Sequence, residues 1–317
     1  MTTPLTLEKY QVVVYLAAIS LGLVIGLVLT PSGGWLDWII WPLLAALLYV
    51  TFTQTHLESV GRALVDRRFL GVMLVVNFVL VPILVWGLTR LLVDDPVLAL
   101  GVFLVLLVPC TDWFVTFSQL GRADVPRAIA ATPILLLVQI LLLPFYLWMF
   151  TEGDIRADWQ LSSLLVAFVV IILIPLAAAW VTDLSGRRSR VMQHWIKAMA
   201  WLPVPLLAVV LLAIMASHAP QVIGQVAGLW SVVLVFVLYV ALVPWIGEAA
   251  SRLGGLPVAA RRTVAFSAGS RNSFMVLPIA LALPASLQPT VTVIILQSLI
   301  ELFGLIAYTR LVPRWIR

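Results

Sequence analysis

Charge is scarce in this sequence, because Asp, Glu, Lys and Arg together make up 10% of its 317 residues. Soluble globular domains usually contain about 25% charged residues, so this composition excludes an ordinary soluble fold. Polar stretches long enough to form a separate soluble domain are also missing. Hydrophobic residues account for 63% of the chain, and the sequence therefore predicts an all-α integral membrane protein.

Cysteine is nearly absent, with Cys110 as the single example. One cysteine excludes an intramolecular disulfide and any cysteine-rich metal site. The three histidines share no spacing that is typical of metal ligands. We therefore expect neither a resident metal ion nor a cofactor.

Long apolar runs fill most of the chain. A membrane-spanning helix needs roughly 20 predominantly apolar residues, and ten segments meet this requirement. The predicted spans, with ends uncertain by a few residues, are 10–29, 35–53, 69–91, 97–119, 126–149, 160–181, 198–216, 227–249, 263–283 and 288–311. Each must be helical, because lipid cannot satisfy open backbone groups.

The positive charges are distributed unevenly between the two sides of these spans. If the N-terminus is cytoplasmic, sixteen of the 19 Lys and Arg residues lie on the cytoplasmic side. Only Arg90 and Arg156 fall in connections on the opposite side. This bias places both termini in the cytoplasm. It also accounts for the net charge of +5 without a nucleic-acid partner.

Two of the predicted spans are interrupted. The fourth contains Pro109-Cys110-Thr111-Asp112, and the ninth contains a polar run, 269–273, that starts with glycine. Proline breaks the helical hydrogen-bond ladder and glycine weakens it. The interruptions lie five spans apart, which indicates a five-plus-five inverted repeat with halves at 1–155 and 156–317. In such transporters the discontinuous helices meet near the bilayer midplane.

Three ionised side chains lie well inside the predicted spans: Asp112, Arg271 and Glu301. Each costs at least about 2.5–3.5 kcal/mol at a helix centre, so such residues usually pair or line a cavity. Gln297 precedes Glu301 by one helical turn, and Gln139 in the fifth span is a possible pseudo-symmetric counterpart of Glu301. We expect these residues to form one polar cluster.

The charges of this cluster suggest how it could work. Arg271 is expected near the amino end of a half-helix, where a cation is unfavourable, and would then need Asp112 or Glu301 as an acidic partner. When Cys110 is a neutral thiol, one positive and two negative charges leave one net negative charge, which a single proton would neutralise. This balance suits a proton-coupled carrier. The alternative is a static ionic network that only fixes helix packing.

Cys110 lies at the first interruption, directly before the predicted half-helix 111–119. A helix amino end and the nearby Arg271 would favour the thiolate, which selects soft binding partners. The alternative is that Cys110 is simply a small buried apolar residue.

Three segments of the sequence carry a resemblance to a known family. They are "VPCTDWFVTFSQLGRAD" with Cys110, "SAGSRNSFMVLPIALALP" with Asn272, and "QSLIELFGLIAY" with Glu301. The chain resembles the arsenite-permease branch, the type-three arsenical-resistance permeases, of the bile acid/sodium symporter superfamily. That family pattern has a cysteine in the fourth span, an Asn-containing break in the ninth and a glutamate in the tenth. Thr-Asp-Trp-Phe after Cys110 and the charge of Arg271 depart from it.

The resemblance implies both an architecture and an activity. The discontinuous fourth and ninth helices would cross, with a panel formed by about 10–53 and 160–216 and a core formed by about 69–149 and 227–311. The activity would be export of trivalent arsenite, with antimonite as a second candidate substrate, in exchange for protons. The location would be a bacterial-type inner membrane.

The residues then take specific roles. Cys110 would bind the arsenic, and Thr111, Asn272 and Ser273 would supply hydrogen bonds. Glu301 would carry the coupling proton, while Asp112, Arg271, Gln297 and Gln139 would shape the charge network.

Two rival functions stay open at this point. The first is a sodium- or proton-coupled importer of an organic anion, such as a bile-acid-like or pantothenate-like carboxylate, docked on Arg271 and the half-helix amino ends. The second is a membrane-embedded enzyme that uses Asp112 and Glu301 as acid and base. The oligomeric state is also open.

Overall fold

The computed structural model describes residues 4–29, 35–54, 66–111, 113–150, 172–186, 189–225 and 228–317. In chain order the helices are α1 (Pro4–Leu29), α2 (Trp35–Thr53), α3 (Arg67–Val75), a π-helical turn (Val76–Leu80), α4 (Val81–Leu92), α5 (Pro96–Leu106), α6 (Trp113–Leu120), α7 (Val125–Phe150), α8 (Ile174–Gly186), α9 (Arg190–Met199), α10 (Pro203–Gln225), α11 (Trp230–Leu253), α12 (Val258–Gly269), α13 (Ser273–Leu281), a 3₁₀ turn (Ala285–Leu287) and α14 (Pro289–Trp315).

Several of these helices are long and apolar enough to cross a bilayer. Four continuous segments meet this condition: Arg67–Leu92, Val125–Phe150, Trp230–Leu253 and Pro289–Trp315. The pair Arg190–Met199 and Pro203–Ser217, bent by 47°, would add a fifth if it forms one span. The protein is therefore an all-α, multi-pass membrane protein. The count of ten spans and the inverted repeat stay predictions, and most of the predicted sixth span lies outside the described residues.

The chain divides into two compact units. The first is formed by Met1–Gln54 and Val166–Ala227, and the second by Thr55–Leu165 and Gly228–Arg317. Each unit therefore combines segments from both halves of the predicted repeat.

In the first unit, α1 packs along α10, and α2 contacts both α8 and α10. The approach of α1 to α10 is close at Gly22, where an added Cβ would lie 2.5 Å from the carbonyl oxygen of Leu212. The hydroxyls of Tyr49 and Thr182 lie 2.9 Å apart and join α2 to α8. Small residues at such interfaces let helix backbones approach each other in membranes.

Helix α9 differs from the sequence-based expectation, which treated this charged stretch as a connection before the seventh span. None of its residues is buried, and Val191 and Trp195 are exposed on one face of the helix. An exposed amphipathic helix of this kind is typical of a membrane surface. The predicted seventh span covered 198–216, whereas α10 begins at Pro203 and ends at Gln225. The helix therefore starts and ends later in the chain than predicted.

In the second unit, α14 contacts α5, α11, α12 and α13. Its approach to α5 depends on a glycine, since a Cβ added at Gly101 would lie 2.8 Å from Cβ of Val293. Its approach to α11 is equally close, because a Cβ at Gly304 would lie 2.5 Å from a methyl of Val240.

Two proline sites in the second unit have tyrosine partners. Pro82 has no N–H to donate to the carbonyl of Phe78, four residues earlier, and the hydroxyl of Tyr146 donates to that oxygen over 2.5 Å. Pro244 likewise leaves a carbonyl in α11 without its helical donor, and the hydroxyl of Tyr308 bonds there. The cost of each proline inside a helix is thus offset by a neighbouring helix.

Ionic contacts tie the beginning of α3 to the beginning of α7. Asp66 accepts from the backbone N–H of Phe69 over 3.1 Å and from Nε of Arg127 over 2.8 Å. Arg127 also donates from Nη1 to Asp124 over 2.5 Å. The hydrogen bond from Arg127 is the main reason that the pKa of Asp66 lies below its usual value.

The predicted fourth and ninth spans are each divided into two helices. Helix α5 ends at Leu106 and α6 begins at Trp113, while α12 ends at Gly269 and α13 begins at Ser273. The residue before a proline is disfavoured in helical geometry, which explains the end of α5 shortly before Pro109. Pro109 pairs with Arg271 in an antiparallel bridge, the sole isolated bridge in the described part of the chain.

We expect the α5–α14 contact to be intolerant of added volume. Gly101→Ala should lower the free energy of unfolding by about 1–3 kcal/mol, because its Cβ would overlap Val293. Gly87→Ala in α4 is the matched control, since its added Cβ would meet no atom of another helix within 4 Å. Thermal unfolding of both variants in detergent measures the difference. Equal midpoints for the two variants would contradict the close packing.

Candidate functional site

The two interruptions are joined by their own backbones. The N–H of Cys110 donates to the carbonyl of Ser270 over 3.0 Å, and the N–H of Asn272 donates to the carbonyl of Val108 over 2.8 Å. Groups that lost their helical partners at the breaks therefore bond to each other. This pairing fixes the relative position of the four half-helices.

Arg271 lies at this contact and its side chain is 2% exposed. Its Nη2 lies 2.7 Å from each of three oxygens, which belong to the Asn77 side chain and to the carbonyls of Ser267 and Ala268. Its Nη1 makes a longer contact of 3.4 Å to the carbonyl of Leu106. We call the three oxygens at 2.7 Å the oxygen nest.

The position of the guanidinium corrects the sequence-based expectation. Leu106 ends α5, and the carbonyls of Ser267 and Ala268 lie in the last turn of α12. The guanidinium therefore lies at carboxyl ends of helices, where a cation is favourable, although the residue itself directly precedes Asn272, the N-cap of α13. Its long side chain reaches back over the helix that precedes it.

The sequence predicted Asp112 or Glu301 as the acidic partner of the Arg271 guanidinium, and the structure describes the contacts of one of them, Glu301. Among the described residues no carboxylate forms a salt bridge with its guanidinium, and Glu301 instead accepts a hydrogen bond from the backbone N–H of Arg271. Asp112, the other expected partner, lies outside the described residues. Among the described residues, the partners of the guanidinium are helix-end carbonyls and the side-chain amide of Asn77. Pairing with Asp112 stays a prediction.

Glu301 is the centre of a second cluster, and it is 1% exposed. Its Oε1 accepts from the hydroxyl of Ser270 and the backbone N–H of Arg271, both over 3.0 Å. Its Oε2 accepts from Nε2 of Gln297 over 2.5 Å, and Oε1 of Gln297 accepts from the hydroxyl of Ser273 over 2.6 Å. The structure thus brings four of the predicted site residues together: Arg271, Ser273, Gln297 and Glu301.

Gln139 lies on α7 and bonds elsewhere. Its Nε2 contacts the sulfur of Met275 over 3.1 Å, while its Oε1 has no hydrogen-bond partner. Met275 belongs to the first turn of α13, and its backbone N–H donates to the side chain of Asn272 over 3.2 Å. Gln139 therefore contacts the capped amino end of α13 and has no direct bond to Glu301.

The remaining predicted residues lie at the first interruption. Cys110 is buried, at 4% exposure, and the carbonyl of Thr111 accepts from the hydroxyl of Thr132 on α7 over 3.3 Å. The ring of Trp113, which begins α6, packs edge-on against Phe274 in α13 with centroids 5.3 Å apart. The amino ends of the two second half-helices are therefore close neighbours.

Comparison with known families decides what kind of protein carries this site. The sequence profile of the Sodium Bile acid symporter family matches residues 41–225, which is more than half of the chain. The chain belongs to this family. The resemblance stated from the sequence motifs is confirmed at this level, and the protein is a membrane transporter with a small-molecule substrate.

One curated relative supports a particular branch of this family for the chain. Arsenical-resistance protein Acr3 of Corynebacterium glutamicum is 22% identical to it, over 84% of this chain and 78% of the relative. The similarity supports the arsenical-resistance branch to which the motifs around Cys110, Asn272 and Glu301 point.

Sequence reasoning missed three residues of this transporter site: Asn77, Ser267 and Tyr239. Tyr239 donates to the carbonyl of Ala268 over 2.6 Å, and its ring centroid lies 5.9 Å from Cζ of Arg271. Asn77 left a signal, since it is the one amide in the apolar stretch "GVMLVVNFVLVPILVWG". Its π-helical turn gives no sequence signal, although such turns are frequent at functional sites.

We expect Asn77 to be required for holding the buried guanidinium. Asn77→Leu should lower the free energy of unfolding by about 2–3 kcal/mol, because a charged donor loses a buried acceptor. Asn77→Asp should retain part of that stability, since a carboxylate also accepts from Arg271 but cannot donate to the carbonyl of Met73. Thr89→Val is the matched control, because the buried hydroxyl of Thr89 has no partner. Thermal unfolding in detergent tests this, and equal losses at Asn77→Leu and Thr89→Val would contradict it.

Proposed function

We propose that this transporter exports trivalent arsenite in exchange for protons, with antimonite as a second substrate. The observation that carries the proposal is the double role of Ser270. Its carbonyl accepts from the backbone of Cys110, and its hydroxyl donates to Glu301. The residue proposed to bind arsenic and the residue proposed to carry the proton are thereby linked through one amino acid.

The chemistry of the substrate fits a site built around one thiol. Arsenite at neutral pH is As(OH)₃, a neutral and thiophilic molecule, and a thiolate is the protein ligand with matching softness. Cys110 would bind the arsenic atom. Thr111, Asn272 and Ser273 would supply hydrogen bonds to the hydroxyl groups. The similarity to a protein named for arsenical resistance supports this substrate class.

The helix ends favour the reactive form of Cys110. The amino ends of α6 and α13 lie side by side at Trp113 and Phe274. Such ends carry partial positive charge, which stabilises a nearby thiolate. The carboxyl ends of α5 and α12 hold the cation of Arg271 instead. The helix carboxyl ends at the breaks thus suit a cation, and the helix amino ends suit an anion.

The hydrogen bonds around Glu301 suggest how a proton is accommodated. As a carboxylate, Glu301 accepts from Ser270, Arg271 and Gln297. When Oε2 gains a proton it becomes a donor, and Gln297 can turn its amide to accept from it. The amide nitrogen of Gln297 then faces the hydroxyl of Ser273, which can act as donor or acceptor. Protonation therefore changes the bonds of a proposed substrate-binding residue.

Charge balance gives the proposed coupling. Arg271 contributes one fixed positive charge, and Glu301 and Asp112 would contribute two negative ones. While Cys110 is a neutral thiol, one proton on Glu301 makes the site neutral, which favours its exposure to the opposite side without an unpaired charge. The exporter, built from two inverted repeats, would work by alternating access, with the core moving against the panel. It would lie in the bacterial inner membrane with both termini in the cytoplasm.

Import of an organic anion is supported less well. That function needs Arg271 to dock a carboxylate, but the guanidinium is 2% exposed and its Nη2 already contacts three oxygens. An incoming carboxylate would have to displace these neighbours.

Cys110→Ser tests the substrate. Replacing sulfur by oxygen removes the soft ligand, and arsenite efflux should fall by roughly tenfold or more, since even the supporting groups of metal-binding residues contribute 10–100-fold. Efflux is measured in everted vesicles, with membrane insertion checked by immunoblot. Unchanged arsenite transport, together with uptake of a carboxylate such as taurocholate or pantothenate, would establish the rival function.

Glu301→Gln tests the coupling ion. Glutamine imitates the protonated acid, and so arsenite transport should no longer respond to an imposed pH gradient. Glu248→Gln is the matched control, because Glu248 pairs with Arg261 away from the breaks. Transport is followed with the proton and sodium gradients imposed separately. A pH response in Glu301→Gln equal to that of Glu248→Gln would contradict the role of Glu301.

A further inference from the structure

The contacts of Arg271 exceed what its donors can satisfy. One terminal nitrogen of a guanidinium carries two hydrogens, yet three oxygens lie 2.7 Å from Nη2. At the same time Nε has no partner, and Nη1 has only the 3.4 Å contact to Leu106. Three oxygens therefore share one terminal nitrogen while Nε donates to none, which does not use the planar fork of a guanidinium.

The oxygen nest is positioned by bonds that do not involve Arg271. Nδ2 of Asn77 donates to the carbonyl of Met73 over 3.0 Å and to the hydroxyl of Ser267 over 3.1 Å. These bonds turn Oδ1 of Asn77 towards the end of α12. The hydroxyl of Tyr239 supports the carbonyl of Ala268 from another helix. Two of the three oxygens are therefore held by side-chain hydrogen bonds that do not depend on Arg271.

The ligand set indicates a monovalent cation. All three oxygens are neutral, two of them come from the carboxyl end of a half-helix, and such ends coordinate sodium ions in secondary transporters. Calcium and magnesium sites in proteins usually include carboxylate ligands, and the nest has none among the described residues. One unit of positive charge is what the helix end favours.

We propose that the oxygen nest is a monovalent-cation site that the chain fills with Nη2 of its own Arg271. The transporter carries a tethered cation there and needs no free ion at this position. Removal of the arginine side chain then creates a site for a dissolved cation. The proposed cation site bears on which ion drives the transport proposed above. Its consequence for coupling rests on that proposed function, whereas cation binding by the Arg271 variants does not.

The tethered charge has a direct consequence for coupling. A free ion in the nest would enter and leave with each transport cycle, whereas Arg271 stays. The nest then contributes a constant charge, and the gradient that drives transport must act on another group. Wild-type arsenite efflux is accordingly expected to be independent of the sodium gradient.

The test measures cation binding by the full-length protein in detergent without arsenite. Thermal midpoints of wild type, Arg271→Ala, Arg271→Gln and Arg271→Lys are compared in the chlorides of lithium, sodium, potassium and choline. The two neutral variants should gain roughly 5 °C in the preferred small cation relative to choline. Wild type and Arg271→Lys should show no such difference, because both keep a tethered cation.

A second variant locates the bound cation. Asn77→Ala combined with Arg271→Ala removes one oxygen of the nest, and the concentration of cation needed for half the midpoint gain should rise severalfold. A gain specific to one alkali ion that also depends on Asn77 supports the proposal. Equal midpoints of both neutral variants in all four chlorides overturn it, as does a gain that is unaffected by Asn77→Ala. Because arsenite is not used, failure here is distinguishable from failure of the Cys110 and Glu301 tests.

Discussion

The backbone pairing between the two interruptions is the constraint on which the rest of the site depends. A helix that breaks inside an apolar protein exposes amides and carbonyls that lipid cannot satisfy. Here the amides of Cys110 and Asn272 bond to carbonyls of the opposite break. Once this contact exists, two helix carboxyl ends and two helix amino ends lie next to each other, and the electrostatics of the site follow.

The side chains of Arg271 and Glu301 bond to different parts of this contact. The carboxyl ends of α5 and α12 face the guanidinium of Arg271, and the backbone between α12 and α13 bonds to Glu301. Two opposite charges therefore lie in one site without forming a direct salt bridge. Each is held by neutral dipoles, so the protonation of one need not break an ion pair with the other.

Contacts between helices compensate for several local irregularities of the helices. Prolines in α4 and α11 leave carbonyls without helical donors, and tyrosines from α7 and α14 donate to them. Glycines in α5 and α14 permit close approach to their neighbours. The π-helical turn presents Asn77 to Arg271. The same long-range contacts therefore stabilise the second unit and organise its polar centre.

The sequence by itself determined the features that depend on neighbouring residues. Apolar runs must become helices in lipid, Pro109 and the glycine at 269 mark the two breaks, and Arg271 and Glu301 stand out because buried charges are costly. The tertiary structure alone decided their partners. Glu301 was expected to pair with the guanidinium of Arg271 but bonds to its backbone N–H, while the described partners of the guanidinium are Asn77 and helix-end carbonyls. The partners of Gln139 and Ser270 were not predicted. The physical reason is that these partners come from other helices, and the sequence pattern of one helix does not reveal which backbone ends another helix brings into reach.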